Sequence, residues 1–325
     1  MGQNGAKFGM KTLIPPGLGD RCLIRTSSRH MFCKMMHEKQ LHLEPQLAFE
    51  NRPFSRSRVG GIPFEIATLD EASSWLIDSL ASGSPSRGIP IRLSNAYCVA
   101  LAQSHREYRS VFTGEGMTFA DGAPVAWFQR RFLRGSVYSN KAGRVRGPSF
   151  FTTVLDRGQQ QNLRHFFLGS TNETLDLLEA ELKSRYPAIR VSGKLAPPFG
   201  PVDEKFIQQA LRAIELSDAQ IVWIGMGTPK QDHAATELAQ RASKIFVGVG
   251  AAFDFVAGTV PEAHPLIQRS GFEWLYRLAK EPRRLGKRYL LGNTQFLLAV
   301  FKHRRDSRES VLFGNTSPSK ASKQW

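Results

Sequence analysis

Residues that could hold a phosphorylated ligand lie in the stretch 221–232, IVWIGMGTPKQD. The apolar run at its start predicts a buried strand, and Gly225 and Gly227 predict a tight turn that a ligand can approach closely. A helix follows, so its N-terminus would present free N–H groups and a positive dipole end. Residues 169–173 repeat this arrangement. The two units favour a nucleotide diphosphate bound across adjacent helix N-termini, although a capped helix after a core strand explains the spacing equally well.

The residue types also predict where each helix begins. In the first unit Thr228 stands at the N-cap, Pro229 suits the first helical position, and Gln231 completes a T-x-x-Q capping box. In the second unit Ser170 and Glu173 form an S-x-x-E box. The first turn lacks the third glycine of a dinucleotide fingerprint and is not a Walker A loop, which argues against a dinucleotide enzyme.

A third candidate for chemistry is Asp121, which precedes Gly122 after a short strand predicted at residues 117–120. An Asp-Gly pair in this position is commonly only a turn, and taken alone the residues favour that interpretation. The functional alternative places the carboxylate at the carboxyl end of a strand, inside the ligand crevice, where it would act as a general base.

Charge and metal-ligand patterns limit the classes of partner. The net charge of +16 and the pI of about 10.1 imply an anionic partner, which could be nucleic acid, a phosphate-bearing substrate or an acidic membrane. No D-x-D or H-E-x-x-H motif is present, so a departing diphosphate would be neutralised by helix dipoles and arginines. The widely spaced Cys22, Cys33 and Cys98 offer no disulfide framework, which fits a reducing cytosol.

Short strands alternate with helices along the central part of the chain, which predicts an α/β fold with Rossmann-like parallel sheets. The predicted core, 58–264, has two consecutive halves, at about 58–158 and at about 159–264. The strands are predicted at 60–68, 89–93, 117–120, 164–168, 189–192, 221–224 and 244–249.

The flanking segments differ from this core. Residues 1–57 are basic and lack a sustained period, which predicts a mostly disordered extension; a dispensable tail or a misplaced start is favoured over a polybasic membrane contact. Residues 265–305 alternate aromatic and aliphatic residues with arginines and lysines, which predicts a helical appendage broken around Pro282 and Gly292. Residues 306–325 predict a disordered tail.

Three motifs together resemble one family. GMGTPKQD at 225–232, VGVGAAFDFVAGTVPEAHP at 247–265 and GFEWLYRLAKEPRRLGKRYLLGN at 271–293 are similar to the WecG/TagA/CpsF glycosyltransferases, glycosyltransferase family 26. The order of the upstream elements agrees, and the resemblance extends from about Val59 to Lys302.

The resemblance implies inverting, metal-independent transfer of a sugar from a UDP-sugar to a polyprenyl-diphosphate-linked saccharide, in bacterial cell-surface or exopolysaccharide biosynthesis. It implies a hexosyltransferase with no cofactor, located in the cytoplasm and peripheral on the inner face of the plasma membrane, an anionic surface. No nucleic acid partner is expected, and a homo-oligomer is left open.

The resemblance also assigns roles to the two halves and to residues. It implies an acceptor and base half at about 58–158 and a UDP-sugar half at about 159–264. Asp121 corresponds to the proposed base, Asn95 to the asparagine before it, and Arg144 to the arginine of an R-V-x-G turn. The C-terminal arginines, with Lys287 or Arg288, are expected to close over diphosphates. The residues expected at the donor are Gly169, Gly225, Gly227, Thr228, Pro229, Gln231, Arg277, Arg284 and Arg288.

Two departures from the family pattern stand out. Leu93 occupies a position where many members have threonine, which could alter sugar contacts, and Asp232 replaces a glutamate, with little change expected. Two other functions stay open, a hydrolase of nucleotide- or lipid-linked sugar and a basic nucleic-acid-binding module.

Overall fold

The structure is a computed structural model that describes residues 52–309, apart from the side chains of Arg284, Lys287, Arg288, Tyr289, Arg308 and Glu309. The strands are β1 (Arg56–Val59), β2 (Ile62–Glu65), β3 (Ile89–Ser94), β4 (Met117–Ala120), β5 (Arg164–Gly169), β6 (Arg190–Leu195), β7 (Ile221–Gly225) and β8 (Ile245–Gly248).

The helices of the first half are α1 (Leu69–Ala81), α2 (Ala96–Ser104), α3 (Arg106–Thr113), α4 (Ala123–Phe132) and α5 (Gly147–Arg157). Those of the second half are α6 (Asn172–Arg185), α7 (Glu204–Glu215), α8 (Lys230–Arg241) and α9 (Ala252–Val256). The C-terminal helices are α10 (Pro265–Ser270), α11 (Glu273–Lys280), α12 (Pro282–Lys302) and α13 (Arg304–Glu309).

Strands β3 to β8 form one six-stranded sheet in the order β4-β3-β8-β7-β5-β6, with every neighbouring pair parallel. The predicted α/β fold is therefore confirmed. Both predicted halves contribute to the same sheet, because β8 of the second half pairs with β3 of the first, Ile245 opposite Ile89. Parallel strands need crossover connections, which the intervening helices supply.

Strands β3, β4, β5, β7 and β8 are almost fully buried, as expected for parallel strands covered by helices on both faces, whereas the edge strand β6 is only partly buried. In β7, Ile221 and Trp223 face the core under α1, α5, α6 and α9, whereas Val222 and Ile224 face α7 and α8. A further cluster, around Val99 of α2, joins α3, α4, α12 and the β1–β2 hairpin. Helix α2 follows β3 on one face and α9 follows β8 on the other. Because the helices that follow these two neighbouring strands lie on opposite faces of the sheet, a crevice opens at the carboxyl ends of the strands.

The N-terminal prediction was wrong in two respects. The strand predicted at 60–68 is reduced to β2, the second strand of an antiparallel hairpin, since Gly60 and Gly61 have φ of 59° and 79° and make the two-residue turn between β1 and β2. The folded part already begins with β1 at Arg56, inside the predicted extension. Residues 1–51 of that extension lie outside the described residues.

The break predicted around Gly292 was also wrong. Helix α12 runs through this position, and a Cβ there would lie 3.2 Å from Tyr97 Cδ2, so the glycine allows α12 to approach α2 closely. Phe296, Ala299 and Val300 are buried in that contact, which joins the predicted appendage to the core. The predicted tail begins within α13, and its residues 310–325 lie outside the described part. Among residues 52–309 no helix could cross a membrane.

Candidate active site

The carboxyl ends of the six parallel strands open into one cleft of about 770 Å³. Its wall is built from the turns that follow the strands and from α11 and α12. The predicted site residues that line the cleft are Asn95, Asp121, Arg144, Gly169, Gly225, Gly227, Thr228, Gln231 and Arg277. Pro229 lies in the same turn without lining the cleft. The side chains of Arg284 and Arg288, in α12, lie outside the described residues.

Asp121 directly follows β4 and is held at both its backbone and its side chain. Its N–H donates to Ser94 O at 3.0 Å, and its Oδ1 accepts the Gly147 N–H at 2.7 Å. The second carboxylate oxygen has no hydrogen-bond partner among the described residues. Burial raises the pKa of Asp121, against the charge of Arg144 and the Gly147 hydrogen bond, which both lower it. A buried carboxylate with a raised pKa and one oxygen outside these hydrogen bonds has the chemistry of a proton acceptor.

Asn95 lies beside the Asp-Gly turn, at the end of the adjacent strand β3. Its Oδ1 caps α2 by accepting the Tyr97 N–H at 3.0 Å. The Asp-Gly turn can sit this close only because Gly122 has no side chain, since a Cβ at Gly122 would lie 2.9 Å from the Asn95 Cβ. The structure thus brings Asn95 and Asp121 together as neighbours in the cleft.

Arg144 supports the Asp121 turn through a cluster of ion pairs. Its Nε donates to the backbone oxygen of Asp121 at 2.6 Å, and its Nη2 donates to Glu273 Oε2 at 2.6 Å. Arg146, which sequence reasoning missed, binds Glu273 through Nε and Nη2 and pairs with Glu262 at 2.7 Å. Burial opposes ionisation of Glu273, but the two arginines hold its pKa below the usual range. Arg144 therefore already has carboxylate and carbonyl partners.

The turn after β7 differs from the predicted capping box. Pro229, joined to Thr228 by a cis peptide bond, is the N-cap of α8, and no side chain caps the helix. The buried Gln231 side chain turns inward instead, and its Oε1 accepts the N–H groups of Gly227 at 3.0 Å and Gly250 at 2.9 Å. Gln231 therefore joins the turns after β7 and β8, and the T-x-x-Q prediction was wrong.

The S-x-x-E box predicted after β5 was wrong as well. Thr171 is the N-cap of α6, and its side chain accepts the Thr174 N–H at 3.2 Å. Ser170 has a φ of 59° and Gly169 a φ of 117°, so the backbone bends sharply before the helix starts. A Cβ at Gly169 would lie 2.8 Å from Gly225 O, which shows how closely the β5 and β7 turns approach each other.

A buried polar network lies behind these turns. Tyr108 Oη donates to Asp232 Oδ2 at 2.7 Å, and Arg92, also buried, donates to Glu115 O at 2.6 Å. Burial raises the pKa of Asp232, while Tyr108 and Arg92 oppose the shift. Asp232 does lie in the first turn of α8, as expected, but its carboxylate faces the protein interior.

The C-terminal side of the cleft is aromatic and basic. Arg277 of α11 lines it, with its guanidinium carbon 5.6 Å from the Phe255 ring centroid. Within residues 52–309 no group of three or more His, Cys, Asp or Glu side chains could hold a metal ion.

The fold and cleft define an α/β protein with a ligand site at the carboxyl edge of its parallel sheet. A family model, described as the glycosyl transferase WecG/TagA/CpsF family, matches residues 57–310. The chain therefore belongs to the WecG/TagA/CpsF glycosyltransferase family, as its motifs predicted. Membership implies glycosyltransferase activity in cell-surface polysaccharide biosynthesis, with a sugar donor and a lipid-linked acceptor.

Proposed function

We propose that the protein transfers a hexosyl group from a UDP-sugar to a polyprenyl-diphosphate-linked saccharide, with inversion and without a metal ion. The observation that carries this proposal is the Asp121 carboxylate, which lines the same cleft as the glycine turns after β5 and β7. A general base and two helix N-termini are the groups that such a transfer needs, the first for the acceptor hydroxyl and the second for the leaving diphosphate.

In this mechanism Asp121 accepts the proton of an acceptor hydroxyl while that oxygen attacks the anomeric carbon of the donor. The new carbon–oxygen bond forms as the bond to the UDP oxygen breaks on the opposite face, which inverts the anomeric centre. The Gly147 N–H fixes one carboxylate oxygen, so the other is left to take the proton. The raised pKa of Asp121 makes its carboxylate a better base than an ordinary aspartate.

The leaving UDP acquires charge that the protein must stabilise. Gly225, Gly227 and Thr228 with the start of α8, and Gly169 with the start of α6, form the proposed diphosphate seat, and Gln231 fixes its shape. Arg277 is placed to add a positive charge, and the proposal keeps Arg284 and Arg288 as further phosphate contacts. Because Arg144 is held by Glu273, we assign Arg144 the positioning of the Asp121 turn.

The proposal includes a peripheral position on the inner face of the bacterial plasma membrane. Exposed apolar residues in and next to the C-terminal helices support it, among them Phe272, Leu290, Leu298 and Phe301, which are 59, 75, 65 and 60% exposed. Basic residues accompany them along α11 and α12. An apolar face beside lysines and arginines suits the boundary of an anionic bilayer, where a polyprenyl-linked acceptor is presented.

Asp121→Asn tests the mechanism, since the amide keeps the shape of the carboxylate and cannot accept the proton. We expect sugar transfer to fall by about 10²- to 10⁴-fold while UDP affinity, measured by calorimetry, stays within twofold. Asp176→Asn, an exposed aspartate of α6, is the matched control with parent activity. The assay follows lipid-linked product and free sugar by mass spectrometry, with and without EDTA.

Transfer at the parent rate by the folded Asp121→Asn protein would refute the role of Asp121. Free sugar released without an acceptor would identify a hydrolase, and inhibition by EDTA would refute the metal-independent mechanism.

A further inference from the structure

The loop after β6, residues 196–202, carries an exposed aromatic residue at the cleft. Phe199 is 95% exposed and lines the cleft wall. Three prolines of the loop, Pro197, Pro198 and Pro201, restrict its backbone. Lys230 of α8 donates from Nζ to Gly200 O at 2.6 Å and ties the loop to the helix after β7. Phe199 is therefore presented to solvent by an anchored loop.

The strand order fixes where this loop stands along the cleft. Strand β6 is at one edge of the sheet and β4, which Asp121 directly follows, is at the other. Five strand spacings of about 4.8 Å separate them, about 24 Å in all. The glycine turns of β5 and β7 lie between these edges. An extended nucleotide-sugar with its diphosphate over those turns would direct its sugar toward Asp121 and its base toward the loop.

We propose that Phe199 is the platform on which the nucleobase of the sugar donor stacks. The inference rests on the proposed function, because it assumes a nucleotide-sugar in this cleft. An aromatic ring stacks on the face of a base and shields it from water, a contact that alanine substitution typically weakens by 1–3 kcal/mol. Stacking is tolerant of base identity, so Phe199 contributes affinity and orientation, while hydrogen-bonding groups elsewhere would select the base.

A lipid contact is the other use of an exposed phenylalanine, and the topology disfavours it. The apolar C-terminal helices pack at the opposite end of the sheet, where α12 contacts α2 and Gly271 approaches Ala123 of α4. Phe199 follows the edge strand β6, away from β3 and β4. A bilayer that contacts those helices would therefore lie at the other end of the sheet from Phe199, which is on the nucleotide side of the cleft.

The test compares binding of UDP and of inorganic diphosphate to the full-length protein by calorimetry. We expect Phe199→Ala to weaken UDP binding by about 5- to 150-fold, the equivalent of losing one stacked base, and to leave diphosphate binding unchanged. Phe199→Trp should stay within threefold of the parent. Leu216→Ala is the matched control, because Leu216 is 91% exposed and lies outside the cleft lining.

The outcomes separate this inference from the proposed function. Unchanged UDP affinity in Phe199→Ala overturns the stacking role, and so does equal weakening of UDP and diphosphate, which would indicate a collapsed loop. Loss of binding to anionic vesicles with normal UDP affinity also overturns it, in favour of a membrane contact. A parent protein that binds no UDP, while its transferase activity uses another donor, would refute the proposed donor itself.

Discussion

Substitution of Glu273 by glutamine tests the ion-pair cluster that supports the Asp121 turn. The Glu273 carboxylate accepts hydrogen bonds from Arg144 and Arg146, and its side chain is only 12% exposed. Removing one partner of a buried ion pair typically costs about 3–5 kcal/mol of unfolding free energy. Arg146 keeps Glu262 at 2.7 Å, and glutamine keeps one acceptor oxygen. We therefore expect a loss of about 2–3 kcal/mol.

Urea unfolding followed by circular dichroism measures this loss, and hydrogen exchange locates it. Exchange should rise in α11 and in the turn at Arg144, because those elements share the lost carboxylate. Glu262→Gln is the matched control, since Glu262 pairs with the same arginine but is 38% exposed, and it should cost less than about 1 kcal/mol. Equal losses of unfolding free energy in the two variants, or unchanged hydrogen exchange in α11, would refute the role of Glu273 in supporting the Asp121 turn.

Two further predictions concern pH and the membrane. Burial lowers the pKa of His165 to about 3, so the unfolded chain binds a proton that the folded protein does not as pH falls below 6.5. The free energy of unfolding should then fall by at most about 1.4 kcal/mol for each unit by which the pH drops, and His165→Gln should flatten the plot of unfolding free energy, measured in urea, against pH between pH 6.5 and 5; parallel plots for the two proteins would contradict this prediction. Leu290→Glu with Leu298→Glu should abolish pelleting with anionic vesicles while Leu177→Glu, also on an exposed helix surface, does not; equal pelleting of all three proteins would contradict the membrane contact.

The sequence predicted the sheet well because its signals are local. Strands buried on both faces have continuous apolar runs, and their carboxyl ends have glycines where turns approach each other, as at Gly169 and Gly225. Helix α3 was missed because its apolar residues are few, although Tyr108, Val111 and Phe112 lie on one buried face.

The finer site geometry could not be predicted because it depends on distant partners. Thr228 and Gln231 have the types and spacing of a capping box, but Gln231 instead receives N–H groups from the turns after two different strands. Arg146 stands two residues after Arg144, and the residues around it do not indicate a role in the site. Its partner Glu273 lies 127 residues further along the chain, and only the fold brings them together.

The same ion pairs change how the C-terminal segment should be tested. Residues 265–305 were predicted as an appendage that contacts membrane and diphosphate, yet Glu273 holds the two arginines beside Asp121, and Phe296 is buried against the core. Deleting the segment would remove that carboxylate and expose an apolar surface, so lost activity would follow even without a membrane role. Substitutions at exposed positions such as Leu290 avoid this problem, because they change the surface and leave the Glu273 cluster intact.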